Sequence, residues 1–98
     1  MSRSSDEIVE VVTSFLTALR MGQGIDEPRL KELRDILQEL AGEWSASDAV
    51  PKEVAGVLAD LYPAMDASSH LYKDAQQAER IRDLAVDLSA DVSTAFFG

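Results

Sequence analysis

The sequence predicts an all-α protein that folds as an antiparallel four-helix bundle. Four segments carry apolar residues three and four positions apart, the spacing that places side chains on one face of a helix. Glycine, proline and serine residues separate these segments, and no run alternates apolar and polar residues as a half-buried strand does. Helices with such stripes bury them against one another in a bundle, which a second copy of the chain could complete or extend.

The first helix is predicted over residues 5–21. Ser4, followed by Glu7 three positions later, has the pattern of a capping box at a helix start. Gly22 and Gly24 supply the left-handed backbone that commonly ends a helix. The apolar stripe between these signals contains Val9, Val12, Leu16 and Leu19.

The second helix is predicted over residues 27–44. Asp26 is a good capping residue, and Pro28 suits a first turn, where a missing N–H costs nothing. The spacing of its apolar residues is typical of a packing seam. This seam consists of Leu30, Leu33, Leu37, Leu40 and Trp44.

The third helix is predicted over residues 51–62, beginning at Pro51. Pro63 lacks the N–H that a helix interior needs, so we expect the helix to stop or kink near Tyr62. This segment is poor in charge, which is typical of a buried helix or of a partner-binding surface. Gly56 within it is expected to let another helix come close.

The fourth helix is predicted over residues 69–95, and from Ala78 onward its apolar positions again alternate between three and four residues apart. No internal repeat or low-complexity tract interrupts the chain, so we expect one domain. The seam of this helix contains Leu71, Ala78, Ile81, Ala85, Leu88, Val92 and Ala95.

Charge and composition exclude several classes of function. The 98 residues include 18 acidic and 9 basic side chains, a net charge of −9, which is the wrong sign for binding nucleic acid. Without cysteine the chain has no disulfide, thiol nucleophile or cysteine-ligated metal. No apolar run approaches the roughly 20 residues of a membrane span, and the first residues lack the apolar core of a secretory signal. We therefore expect a cytoplasmic protein that binds neither membranes nor nucleic acid.

No phosphate-binding glycine loop and no recognisable catalytic triad occurs in the sequence. We expect a non-enzymatic interaction protein, such as an adaptor, accessory subunit, inhibitor or immunity-type partner, with no cofactor and no metal. Its partner is expected to be another protein with a basic or mixed apolar surface, or a second copy. The candidate contacts are an acidic ridge that attracts the partner (Glu79, Asp83, Asp87 and Asp91) and apolar residues at helix ends (Tyr62, Met65, Phe96 and Phe97).

His70 is the only histidine, and Asp66 and Asp74 would share its face if one helix spanned all three. The stretch beginning at His70 resembles the phosphoacceptor motif of histidine phosphotransfer domains, which reads His, any residue, Leu, Lys, Gly. The resemblance implies that His70 accepts a phosphoryl group and that Lys73 helps to neutralise it. Tyr72 and Asp74 stand where the motif has leucine and glycine.

Residues 37–44 resemble the small, acidic helical-hairpin substrates of type VII secretion, which turn at a Trp-x-Gly motif. Here the turn reads Trp44-Ser45-Ala46, so its glycine is absent. The resemblance implies two long helices joined by that turn. The alternative is that Trp44 closes the apolar seam of the second helix and packs into the core.

Overall fold

A computed structural model describes residues 4–44 and 51–97 of the chain, and within them the side chains of 4–42 and 51–95. These residues form α-helices and contain no strand, so the predicted all-α bundle is confirmed. The helices are α1 (Ser5–Arg20), α2 (Glu27–Trp44), α3 (Lys52–Ala59), α4 (Leu61–Ser69) and α5 (Ala75–Phe97).

Side-chain caps fix the starts of three helices. The Ser4 hydroxyl accepts a hydrogen bond from the Glu7 N–H at 3.1 Å, as the sequence predicts. The Asp26 carboxylate accepts one from the Arg29 N–H, also at 3.1 Å. The Asp74 carboxylate accepts hydrogen bonds from two N–H groups in the first turn of α5, at 2.9 and 3.4 Å. Each cap satisfies an N–H that has no carbonyl partner inside its own helix.

A Schellman motif ends α1. The Gly22 N–H donates to the Leu19 carbonyl at 3.1 Å, and the Gln23 N–H donates to the Ala18 carbonyl at 2.9 Å. Gly22 adopts a φ of 74°, which strains a residue that has a Cβ. The predicted end of the first helix is therefore confirmed, together with its cause.

The predicted third helix over 51–62 has the wrong end. α3 stops at Ala59, Asp60 follows with φ −78° and ψ −11°, and α4 begins immediately at Leu61. Pro63 lies in the first turn of α4, where helix N–H groups have no partner within their own helix. Proline is tolerated there, so the residue expected to stop or kink a helix belongs to the start of one.

The predicted fourth helix over 69–95 starts too early. α4 occupies the chain as far as Ser69, and the chain then turns, with the Leu71 N–H donating to the Ser68 carbonyl at 3.0 Å. α5 begins only at Ala75, directly after its capping residue Asp74. Residues 70–74 therefore form a connection, although their apolar and polar pattern continues that of a helix.

The two short connections, 21–26 and 70–74, lie at the same end of the bundle. α1 packs on α2, α3 and α4, whereas α5 packs on α2 and α4. Glu27 and Arg80, both near the starts of their helices, form an ion pair, and Leu37 and Asp91 farther along line one cavity. α2 and α5 therefore lie side by side and run parallel. Each is antiparallel to the helix before it, because a short connection joins α1 to α2 and another joins α4 to α5.

Buried apolar side chains from all five helices form one hydrophobic cluster. Each fully buried aliphatic or aromatic side chain contributes about 1.5–3 kcal/mol to folding. Gly56 does not mark a close helix contact, because a Cβ added there meets no atom within 4 Å, and the expectation drawn from it is wrong. Fully buried representatives of α1 to α5 are Phe15, Ile36, Leu58, Met65 and Ile81.

Candidate functional site

The acidic ridge consists of Glu79, Asp83, Asp87 and Asp91, and all four residues are exposed on α5. A step of four residues turns about 40° past a full helical turn, so three steps rotate the ridge by about 120°. Glu79 is exposed and points away from the core. Asp91, about 120° farther around the helix, reaches the border with α2 and lines a cavity there. The ridge is one continuous acidic strip, but it winds from the outside of the bundle toward α2.

A second set of exposed residues keeps more closely to the outward side of α5 than the acidic ridge does. Glu79, Asp83, Val86 and Ala90 are spaced four, three and four residues apart, and all four are exposed. We call these four residues the outer face of α5. Val86 is 57% exposed, which makes it one of the few large apolar side chains of the described residues left in solvent. An exposed apolar side chain thus shares the outward side of α5 with two carboxylates that precede it, and exposed Arg82 lies one turn before it.

Val86 was not among the residues chosen from the sequence, although a signal for it exists. The predicted seam of α5 passes through Ala85 and Leu88, which are both buried. Val86 lies next to Ala85 and about 100° around the helix from it, so it falls off the seam. An apolar residue off the seam of an amphipathic helix is a candidate contact.

A groove separates α2 from α5. Arg34, Gln38 and Asp91 border a cavity of about 300 Å³, and Arg34 also borders a neighbouring cavity of about 470 Å³ near the Glu27–Arg80 ion pair. Side chains of both charges line this groove. Among residues whose placement is described, no three side chains of the metal-binding types are grouped so that they could hold an ion.

The apolar residues predicted as contacts at helix ends differ in their exposure to solvent. Tyr62 is 43% exposed, so its ring is accessible. Met65 is fully buried within the hydrophobic cluster, so its assignment to a partner-binding surface is wrong. Met65 lies one turn into α4 rather than beyond a helix end, and α4 turns it toward the core. Phe96 and Phe97 belong to α5, but their side chains lie outside the described residues.

His70 does not lie within a helix. It caps the C-terminus of α4, donating its backbone N–H to the Ala67 carbonyl at 3.3 Å. Asp66 is on α4 whereas Asp74 precedes α5, so no single helix spans the three residues and the condition for Asp66 and Asp74 to share a helix face with His70 is not met. His70 and Lys73 are both exposed in the same connection.

The helical-hairpin architecture is also absent from the described residues, because α1 ends at Arg20 and α2 starts only at Glu27. Trp44 is the last residue of α2, but its side chain, with Ser45 and Ala46, lies outside the described residues. In the described part of the chain, no helix combines the length and the apolar character needed to cross a bilayer. Comparison with protein-family models, curated proteins and solved structures finds no match to this chain.

Proposed function

We propose that this chain is a non-enzymatic protein-binding module that docks its partner on the outer face of α5. The observation that carries the proposal is the exposure of Val86 on the same side of α5 as the Glu79 and Asp83 carboxylates. Adaptors, accessory subunits, inhibitors and immunity-type proteins all work by such binding alone. The cytoplasmic location expected from the sequence is kept as part of the proposal.

Binding energy at protein interfaces is concentrated in a few apolar or aromatic side chains that a rim of weaker contacts shields from water. Val86 provides such an apolar centre, and Ala90, one turn farther along, leaves room for a partner to approach. The Glu79 and Asp83 carboxylates provide the charged rim. Rim charges mainly speed the encounter and select partners of opposite charge.

The partner that fits this face carries an apolar side chain flanked by lysine or arginine. The spacing of four, three and four residues along α5 is the one that a second helix uses when it packs lengthwise on a first. A basic amphipathic helix is therefore the partner element that best matches the outer face. Asp87, at the edge of the face, extends the acidic rim toward α2.

The test is capture of a partner from extract of the native cells on the immobilised protein, at low and at high salt. We expect capture at low salt, weakened at high salt, and lost in Asp83→Lys and in Val86→Ser. Glu10→Lys is the matched control, because Glu10 is also exposed but lies on α1. Capture that is absent at both salt concentrations, or equal in all variants, contradicts the proposal.

Histidine phosphotransfer is the second candidate, and the exposure of both His70 and Lys73 favours it. The position of His70 after the end of α4 weakens it, because the turn there does not hold the two side chains in helical register. A carboxylate at Asp74, one residue beyond Lys73, also opposes a doubly charged phosphoryl group. We therefore rank phosphotransfer below protein binding.

A further inference from the structure

Four of the five helices close a ring without α3. α1 packs on α2, α2 on α5, α5 on α4, and α4 on α1. α3 packs on α1 and on α4, and it has no comparable contact with α2 or α5, so it lies outside this ring. The ring therefore keeps all of its own helix contacts if α3 leaves its place.

α3 is attached to the ring by few side chains. Val54 and Leu58 are its buried residues, and Val57 packs against the hydrophobic cluster but is only half-buried. In the part of the chain that the structure describes, no hydrogen bond or ion pair joins a side chain of Lys52–Ala59 to another residue. α1, by comparison, buries six apolar side chains. The attachment of α3 is thus apolar and small.

α3 is also weak as a helix. It has eight residues, fewer than the roughly 12–15 that a helix in isolation needs. Gly56 lies in its interior, where glycine loses more backbone freedom than other residues do. Pro51, which precedes α3, provides no side-chain hydrogen bond to cap it. The helical structure of α3 therefore depends on its packing.

The junction at Asp60 allows α3 to separate from α4. The Ala64 N–H donates to the Asp60 carbonyl at 3.0 Å, and this bond belongs to the first turn of α4. The Asp60 N–H donates to the Gly56 carbonyl at 3.1 Å, and of the two bonds only this one breaks when α3 unwinds. Pro63 has no N–H to bond the Ala59 carbonyl, so the hydrogen-bond ladder is already interrupted between the two helices.

The contact between α1 and α3 is incompletely packed. Val12 and Leu16 of α1 and Val57 of α3 border a cavity of about 150 Å³ between the two helices. Apolar atoms that border a cavity lose packing contacts on that side. Val12 and Leu16 are both buried, and they are the side chains of α1 that departure of α3 would uncover.

We propose that α3 is a strap that opens by itself while the ring of α1, α2, α4 and α5 stays folded. Proteins open locally as well as globally, and the elements that open most readily have few buried apolar contacts. Opening uncovers an apolar strip of α1, at Val12 and Leu16, which the strap hides in the closed state. This inference is independent of the proposed function, because α5 keeps its place in both states.

Thiol labelling tests the opening, because the chain has no cysteine of its own. Val12→Cys and Val11→Cys place a single thiol at neighbouring positions of α1, which are 0% and 3% exposed. Val11 and Thr13 lie about 100° around the helix from Val12 in opposite directions, and of the two only Thr13 borders the cavity under α3. With reagent at a concentration where labelling is slower than closing, we expect Val12→Cys to react at least about 100-fold faster than Val11→Cys.

Two perturbations distinguish opening of α3 from unfolding of the whole chain. Low concentrations of urea should accelerate labelling at position 11 and leave labelling at position 12 nearly unchanged, because opening of α3 exposes little surface. Adding Tyr72→Phe should accelerate labelling at position 11 about fivefold or more and leave position 12 unchanged, since the hydrogen bonds of Tyr72 persist when α3 opens.

Amide hydrogen exchange measures the same opening in the wild type. The Ala55 and Asp60 N–H groups, which are hydrogen-bonded in α3 and at its end, should exchange at least about 100-fold faster than those of Ile36 and Leu37 in α2. Equal labelling at positions 11 and 12, the same response of both to urea and to Tyr72→Phe, or equal exchange in α3 and α2 overturns the inference. If circular dichroism shows that a cysteine variant has lost its helices, the exchange of the wild type decides alone.

Discussion

The Tyr72 hydroxyl donates a hydrogen bond to the Leu19 carbonyl at 2.9 Å, joining the end of α1 to the connection between α4 and α5. The two residues are 53 positions apart in the sequence. The same hydroxyl accepts from the Gly24 N–H, so one side chain satisfies two backbone groups of the first connection. The half-buried ring also packs against the hydrophobic cluster.

Tyr72→Phe keeps the ring and removes both hydrogen bonds. We expect the free energy of unfolding to fall by about 1–3 kcal/mol, since the buried Gly24 N–H loses its partner. Urea denaturation measures this loss. Tyr62→Phe is the matched control, because Tyr62 is 43% exposed and should change stability little. Equal effects of the two substitutions would show that Tyr72 does not join the connections.

Replacing two of the glycines by alanine should change the free energy of unfolding in opposite directions. Gly22→Ala places a Cβ on a residue with a φ of 74°, which should lower the unfolding free energy by about 1–2 kcal/mol. Gly56→Ala lies within α3 and meets no atom within 4 Å, so it should raise stability by about 0.5–1 kcal/mol. Thermal or urea unfolding measures both changes. A loss of stability in Gly56→Ala would contradict the open environment described for α3.

The fold of the first half could be predicted from the sequence because its signals are local. Ser4 and Asp26 cap the helices that follow them, and Gly22 ends α1. The second half could not, because Pro63 suits either the stop of one helix or the first turn of another. Packing decides between these states, since the α4 helix buries Met65 in the core.

The candidate surface was predictable in part for the same reason. The exposure of Asp83 and its neighbours on the ridge follows from their position off the seam of α5. Met65 was misassigned because its burial depends on where α4 begins, which the local sequence leaves open. The joining of the connections 21–26 and 70–74 depends on the contact of Tyr72 with Leu19, and no periodic pattern reports a contact between residues so far apart.

Asp87→Asn should stabilise the fold slightly. Asp83 and Asp91 lie one turn away on either side, and each like-charged pair costs about 0.2–0.5 kcal/mol, so we expect a gain of about 0.4–1 kcal/mol at low salt. Asp83→Asn is the comparison. Its gain in unfolding free energy should be smaller, because this substitution also removes the attraction between Asp83 and Arg80 three positions earlier. Urea denaturation at low salt and at about 1 M salt, where charges are screened beyond about 3 Å, checks both. A gain that persists at high salt would show that its cause is not charge repulsion.

His70 should not accept a phosphoryl group. Incubation with a phosphorylated response-regulator receiver, followed by detection of acid-labile phosphate on the chain, measures transfer. We expect none, because His70 lies beyond the end of α4 and Asp74 adds negative charge nearby. Transfer to the wild type that is lost in His70→Gln would replace protein binding by phosphotransfer as the leading function.

Site-specific photo-crosslinking in the native cells tests most directly whether the outer face of α5 binds a protein. A photoreactive residue replaces Val86 in one variant and Thr13, an exposed residue of α1, in the other. We expect a crosslinked protein adduct from position 86 that disappears when Asp83→Lys is added, and none from position 13. The absence of an adduct at position 86, or the same adducts from both positions, would contradict the account.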